Sequence, residues 1–401
     1  MPTTKNETSP NNSIHQSQQS AYWSGVFAMT LCVFSLIASE FMPVSLLTPL
    51  AEDLAVSEGL AGQGIAISGA FAVITSLLIS RLAGAIDRKA LLLLFTALMA
   101  VSGAIIALAQ NYAIYMVGRA FIGVVVGGFW SLSAATAMRL VPAKDVPKAL
   151  SIFNGGNALA TIVAAPLGAY LGAVVGWRGA FACLVPIAII VFIWQWLSLP
   201  SMPALATEGK PKGFFHLLRR KHIAMGMAAC GSFFMGQFIL YTYIRPFLEI
   251  ETKVSPSMLS LALVTIGIAG LIGTTLVNVF IRRSLFGTII TIPLLMAAVA
   301  LSLTALGHWL TGVFLLLALW GLFSTAAPVG WWSWLAQAMP EDAEAGGGLM
   351  VAIIQLAIAL GSTVGGLLFD WHGHISTFSA SAAVLVLAAI IAWYTAQKTP
   401  A

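Results

Sequence analysis

Apolar residues fall in long, nearly unbroken runs separated by short polar turns, at about 24–48, 60–83, 90–110, 114–138, 149–174, 178–199, 223–248, 257–281, 286–306, 310–338, 346–369 and 375–396. Each is close to or longer than the ~20 residues that cross a bilayer as a helix. Their richness in Gly, Ala and Leu, without period-two alternation over ~10-residue segments, argues against a transmembrane β-barrel. The pattern predicts an all-α membrane protein of twelve transmembrane helices, six before and six after the longest polar stretch.

That division gives a polar tail over 1–21, an N-terminal six-helix bundle over 22–199, a linker over 200–222 and a C-terminal six-helix bundle over 223–401. The tail is rich in Ser, Asn and Gln and lacks the order of a cleavable signal peptide, so it reads as disordered. The linker carries Lys210, Lys212, Arg219, Arg220 and Lys221 among three prolines. With a cytoplasmic amino terminus, the same side collects Lys5, Arg81, Arg88, Lys89, Arg139, Lys144, Lys148, Arg282, Arg283 and Lys398, and the opposite side only Arg178 and Lys253. Cationic loops resist translocation, so both termini are expected to be cytoplasmic. The basic turns after the second and eighth runs, about two hundred residues apart, suggest parallel repeats.

Composition narrows the function classes. Of 401 residues 59% are hydrophobic and 8% charged, and the mean hydropathy is +0.94; a soluble domain carries roughly 25% charged residues. The net charge of +5 follows the loops rather than any patch suited to nucleic acid, which is not expected as a partner. Cys32, Cys183 and Cys230 lie inside apolar runs and form no disulfide or zinc pattern. No phosphate-binding Gly-rich loop ending in Gly-Lys-Ser or Gly-Lys-Thr occurs, so direct ATP drive is not expected. The six histidines sit in tails, loops or span edges, away from any deep relay. An integral-membrane enzyme would need clustered carboxylates or a nucleophile with a base at the surface, and only Glu341, Asp342 and Glu344 in one turn approach that. No metal or cofactor is expected.

Two charges stand where lipid should be. Glu40 lies inside the first run, roughly 12 Å below the outer surface, and Arg119 lies about five residues into the fourth, ~7 Å below it, so the two share a depth and one cavity can hold both. An intramembrane acid and base form a candidate proton pathway, with the alternative that they only tie two helices together through charge-assisted hydrogen bonds. Aromatic and amide side chains within spans, Trp130, Asn154, Asn157, Gln237, Tyr241, Tyr243, Trp331 and Gln355, suit an uncharged polar solute with a flat part. Each also fits an interface anchor or interhelical glue. The fifth run packs Gly155, Gly156, Ala160, Ala164, Ala165, Pro166, Gly168 and Gly172 into a closely packing, bendable helix.

Several ordered segments carry a resemblance: Glu40-Phe41-Met42-Pro43-Val44-Ser45-Leu46-Leu47-Thr48-Pro49, Ser57-Glu58-Gly59 with Ala61-Gly62-Gln63, Gly118-Arg119-Ala120, Gly127-Gly128-Phe129-Trp130, Ala165-Pro166-Leu167-Gly168, Gly176-Trp177-Arg178, Thr242-Tyr243-Ile244-Arg245-Pro246 and Pro328-Val329-Gly330-Trp331. The chain resembles the twelve-span drug/proton antiporter branch of the major facilitator superfamily, and within it the bacterial purine ribonucleoside efflux pumps. The resemblance implies a monomeric transporter, not an enzyme. It would export purine ribonucleosides such as inosine and guanosine in exchange for protons by alternating access; a sugar or multidrug antiporter is the rival within the fold. It makes Arg119 the fourth-span arginine linked to proton transfer, beside Glu40, whose charge inside the first run already marks it as the candidate proton carrier; it makes Pro166 and Gly168 the fifth-span antiporter motif and Asp87 and Arg88 a loop that latches the halves, and it implies a bacterial inner membrane. That loop is shortened here to Asp87-Arg88-Lys89, and Ala165 stands where glycine is commonest.

Overall fold

The computed structural model describes residues 21–82, 86–142, 145–203, 214–339 and 343–398. The tail before residue 21, the middle of the linker and the side chains of Asn154, Glu341, Asp342 and Glu344 lie outside the described residues. The helices are α1 (Trp23–Asp53), α2 (Glu58–Leu82), α3 (Arg88–Ala107), α4 (Tyr112–Arg139), α5 (Val146–Ser198), α6 (Lys221–Tyr241), α7 (Ile244–Ile250), α8 (Pro256–Arg283), α9 (Leu285–Leu306), α10 (Leu310–Ala338) and α11 (Ala343–Lys398). No strand occurs among the described residues. Among the described residues ten helical stretches are long and apolar enough to cross a membrane, α6 and α7 counting together as one.

Two of these are too long for one crossing. The 53 residues of α5 would extend about 80 Å as a straight helix against a hydrocarbon core of ~30 Å. The break is at Gly176, which holds φ +76° and ψ 166°, a backbone conformation open to a residue without Cβ. Ahead of it, Gly156, Gly168 and Gly172 lie in turn against Thr30, Ser45 and Leu46 of α1. Beyond it, Arg178 pairs with Asp53 and Leu199 returns to Gly25. The chain therefore doubles back alongside α1. In α11, Gly373 at φ +70° does the same: Gly361 and Gly365 pack on Met235 and Ile239, and then Ser381 Oγ returns to donate to the Gly236 carbonyl at 2.6 Å.

The run at 223–248, expected as one helix, is broken at Thr242 and Tyr243. Pro246 explains the break. It offers no N–H to the carbonyl four residues earlier, at Thr242, and its ring crowds that carbonyl, so the ladder restarts as the short α7.

Contacts recur at a fixed interval along the chain. Gly123 of α4 abuts the Ser68 carbonyl of α2, and 198 residues further on Gly321 of α10 abuts the Ile266 carbonyl of α8; a Cβ at either glycine would fall 2.2 Å from that oxygen. Backbones this close transmit packing directly, as small residues permit in membranes.

Gly123→Leu and Gly321→Leu should each lower stability by roughly 1–3 kcal/mol or more through overpacking against main chain that cannot yield. Gly155→Ala, with nothing within 4 Å of the new Cβ, should be neutral or stabilising by up to about 1 kcal/mol. Thermal unfolding of detergent-purified protein measures both, and equal behaviour of the three variants would refute the contrast.

Candidate functional site

Two prolines in α1 set up the site. A proline has no N–H for the carbonyl four residues before it, so Pro43 frees Ser39 and Pro49 frees Ser45, while α1 stays helical through both. In a bilayer such carbonyls need a donor from elsewhere in the protein. Arg119 of α4 supplies one: its Nη1 donates to Ser39 O at 2.8 Å, with Nη2 to Glu40 O at 3.0 Å and Nε to Gly64 O at 2.9 Å. Arg245 of α7 supplies the other, its Nη1 donating to Ser45 O while Nε and Nη2 hold Glu249 at 2.8 Å. Thus the two intramembrane arginines are each matched to a proline-freed carbonyl.

This changes the role expected of Arg119. Its side chain is fully buried, and its guanidinium binds three main-chain oxygens, not the Glu40 carboxylate as an ion pair. The reason is local: Pro43 offers Ser39 O no N–H, and a planar guanidinium with five donors spans adjacent carbonyls and α2 together. Arg119 so fixes where the Glu40 segment stands relative to α2 and α4.

Glu40 is itself 3% exposed and faces protein rather than lipid. Its Oε1 accepts from Gln355 Nε2 of α11 at 3.3 Å, a contact between the two sequence halves. Gln355 Oε1 is buried with no partner. Beside Glu40, Phe41 meets Phe238 of α6 with ring centroids 5.6 Å apart, and Tyr241 packs edge-on to Phe238 at 5.8 Å. Glu40, Gln355, Phe41, Phe238 and Tyr241 therefore form one polar-and-aromatic junction between the halves. Phe41 and Phe238 were not singled out from sequence; only their place beside Glu40 and Gln237 marked them.

Towards the turns that hold Gly176 and Gly373, here called the distal end, the halves are joined. Asp370 of α11 accepts from Ser57 Oγ at 2.6 Å and from the Gly59 N–H at 2.9 Å, capping the start of α2 from the other half of the chain. Thr363 Oγ1 donates to Gln63 Oε1 at 3.0 Å. Tyr243 belongs to this closure: it is fully buried, donates to Ser362 O at 2.8 Å, reaches Gly59 O at 3.5 Å and stacks on Phe369. Sequence alone did not mark Ser57 and Asp370 as partners, and nothing local in either segment signals a pairing over three hundred residues.

The remaining sequence candidates are dispersed. Trp130 packs edge-on to Phe153 between α4 and α5. Trp331 is buried against Trp334 inside the C-terminal packing. Gln237 is half-buried with its Oε1 unpartnered, and Asn157 is half-buried on α5. Pro166 is buried in α5, and Gly168 lies directly against Ser45 and Met42 of α1, so the fifth-span motif packs on the proline-bearing stretch.

Asp87, expected to latch the halves, caps α3 and holds the start of the linker. Its Oδ1 accepts from the Lys89 N–H at 2.7 Å, and its Oδ2 accepts from Ser201 Oγ and the Met202 N–H at 2.9 Å. Arg88 N–H donates to Met202 O at 2.9 Å. Because the loop is short, α3 starts immediately after Asp87, and the two carboxylate oxygens are used by the start of α3 and the start of the linker. Burial acts to raise the Asp87 pKa, but hydrogen bonds from Ser201 and the main-chain N–H groups of Met202, Lys89 and Ala90 outweigh it and hold the carboxyl below its ordinary value.

Residues 29–359 match the family model of the Major Facilitator Superfamily. The chain belongs to this superfamily. Among similar members, the "Transcription regulatory protein OpdE" of Pseudomonas aeruginosa is 61% identical over 96% of each chain. The "Purine ribonucleoside efflux pump NepI" of Salmonella enteritidis is 39% identical over 94% of this chain and 95% of its own. Two solved structures share the superfamily fold: a bacterial homologue of the human lysosomal transporter Spinster, in an inward-facing, unoccupied conformation (TM-score 0.75, 16% identity, 95% of this chain and 99% of that one), and a D-xylose-proton symporter (TM-score 0.72, 19% identity, 94% and 99%). The chain is a multi-span transporter of this superfamily, homologous to an efflux pump.

Arg119→Met leaves Ser39 O without a donor and should cost about 1–3 kcal/mol. Pro43→Ala restores an N–H four residues after Ser39, so the double variant Pro43→Ala/Arg119→Met should recover part of that loss in thermal unfolding. Identical losses with and without Pro43→Ala would show that the arginine does not act through this carbonyl.

Proposed function

We propose that this transporter exports purine ribonucleosides such as inosine and guanosine in exchange for protons. The solute class is supported by the 39% identity to purine ribonucleoside efflux pumps over nearly the whole chain. The single observation that carries the coupling is Glu40: a buried carboxylate at the junction of the halves, with an amide from the opposite half as its side-chain partner. Protonation there removes the charge that burial opposes.

In this reading α5 and α11 each cross twice, making twelve crossings in bundles 22–199 and 223–401 joined by the linker 200–222. Both termini lie in the cytoplasm, because the basic loops gather at their end. The distal end is then the outer face, closed by Asp370, Ser57, Tyr243 and Arg245, so the solute path opens inward. Gln355, Tyr241, Gln237, Trp130, Asn154 and Asn157 are the side chains we assign to solute. Trp331 and Tyr243, buried in packing, support the cavity walls from behind. Asp87 and Arg88 set the position of the linker as the halves rock, and Pro166 with Gly168 lets α5 follow α1. Arg119 positions Glu40 and keeps a positive charge beside it. One chain suffices for this cycle.

The name of the 61%-identical relative favours a second reading at another level. A superfamily transporter alters transcription when the solute it moves is the one a separate regulator senses, and deleting such a pump changes expression only while that solute is present.

Everted membrane vesicles test the main reading. Radiolabelled inosine should accumulate when a pH gradient is imposed, and Glu40→Gln should lower this gradient-driven uptake about tenfold or more while leaving solute exchange without a gradient. Accumulation of pentoses or lipophilic cations but not nucleosides would overturn the solute class. Full gradient-driven uptake by Glu40→Gln would overturn the coupling.

A further inference from the structure

The distal ends of the two halves are fastened by corresponding groups with different chemistry. In the N-terminal half, Arg178, two residues after the Gly176 break, binds Asp53 at the end of α1 and donates through Nε and Nη2 to the Ala109 carbonyl after α3, at 2.9 and 2.7 Å. Trp177 Nε1 adds a bond to Asp53 at 3.2 Å, and the guanidinium lies 4.3 Å from the Trp177 ring centroid. Shifted by 197 or 198 residues, Gly176 becomes Gly373, Asp53 becomes Glu251 and Ala109 becomes Gly307. There Glu251 Oε1 meets His308 Nδ1 at 2.9 Å, and Oε2 faces His374 Nε2 at 3.8 Å. Thr252 Oγ1 donates to the Gly307 carbonyl at 2.8 Å, and the His374 ring packs on Phe247 of α7.

A guanidinium keeps its charge at every physiological pH, whereas histidine changes charge between pH 5 and 8. One half is thus fastened permanently and the other by a carboxylate between two imidazoles. The fastening sits at the C-terminal end of α7, a helix of seven residues severed from α6 by the Pro246 break. The other end of α7 carries the contacts across to the opposite half: Tyr243 to Gly59 and Arg245 to Ser45. The charged groups around Glu251 are few. On α7, Glu249 is held by Arg245; in the following turn stands Lys253; the α9–α10 turn brings His308; α11 brings His374, with exposed His372 next to it and Asp370 committed to Ser57 and Gly59.

We propose that Glu251, His308 and His374 form a pH-sensitive clamp that sets how firmly α7 closes the distal mouth. A charged imidazole at either position draws α7 to the α9–α10 turn or the α11 bend and favours the closed mouth, and a neutral one does not. The clamp rests on alternating access at this end and not on the identity of the solute, and it is separate from proton binding at Glu40.

The test measures the distance across the mouth between spin labels at Glu52→Cys on α1 and Trp371→Cys on α11, both exposed, in a chain carrying Cys183→Ser and Glu40→Gln so that neither a competing thiol nor the buried carboxyl contributes. From about pH 6 to about pH 8 the long-distance population should rise roughly twofold or more. In His308→Gln/His374→Gln it should lose that dependence and stay near the high-pH value. His308→Gln alone, at a side chain 74% exposed and therefore safe for folding, should lose part of it. A wild-type-sized pH shift in the double or single variant, or no shift in the parent chain, overturns the clamp.

Discussion

A carbonyl stripped of its donor inside a bilayer has no water to turn to, and this constraint organises the centre of the molecule. Pro43 and Pro49 strip two such carbonyls on α1, six residues apart. The fold answers with the most expensive side chain to bury, arginine, once from the same half and once from the opposite half. The Arg119 bonds fix α1 to α2 and α4 as a rigid group. The Arg245 bond is one of the ties between halves, made to a carbonyl that Pro49 leaves without its usual helical donor. A helix carrying two prolines is thus less self-sufficient than its neighbours, and its missing bonds are completed by the partners it must hold or release during a cycle.

Much of this was legible in the chain and some was not. Run lengths located the long apolar helical stretches of the described residues, because burial in lipid demands ~20 apolar residues wherever the chain crosses. Gly176 and Gly373 fall in the short gaps expected between runs. The break at Thr242 was also written in the sequence, since Pro246 cannot serve the carbonyl of residue 242, but an apolar run conceals it from a hydropathy reading. Glu40 was found because charge in an apolar run is costly in any fold. Its partner was not, because the depth of Arg119 says nothing about which oxygen the guanidinium meets; the proline four residues beyond Ser39 was the available clue. Asp370 with Ser57 is a different kind of miss. Both are ordinary polar residues at span ends, and only tertiary packing gives their pairing meaning. The cap that Asp87 makes, by contrast, follows from a shortened loop whose next residue already begins α3.

The 198-residue interval shows how alike two scaffolds can be while their chemistry diverges. Gly123 and Gly321 solve the same packing problem in the same way. Asp53 and Glu251 occupy matching ends of corresponding spans and keep their acidity, yet the bases that meet them differ in kind. Pro43 has no proline counterpart at that interval, while Pro246 stands 197 residues beyond Pro49, and the arginines that complete the freed α1 carbonyls come one from each half. Backbone repetition supplies the hinges and close approaches; the side chains that break the repetition make the two halves chemically different.

Under the proposed proton exchange, the position of Glu40 would make coupling a geometric consequence and not an added device. Its main chain is held by Arg119 to α4, so the residue travels with the N-terminal half. Its carboxylate is met by Gln355, which travels with the other half. Any rocking that separates α1 from α11 must therefore break this hydrogen bond and change what surrounds the carboxylate. The surroundings of the carboxylate are thus set by the distance between the halves. A group whose proton affinity depends on the conformation necessarily makes the conformation depend on protons, by the reciprocity of linked equilibria. In that proposal, a solute that inserts at the same junction would compete for Gln355 with that carboxylate. Alternation of proton and solute then requires no relay of residues between separate sites, only that one amide cannot serve both at once.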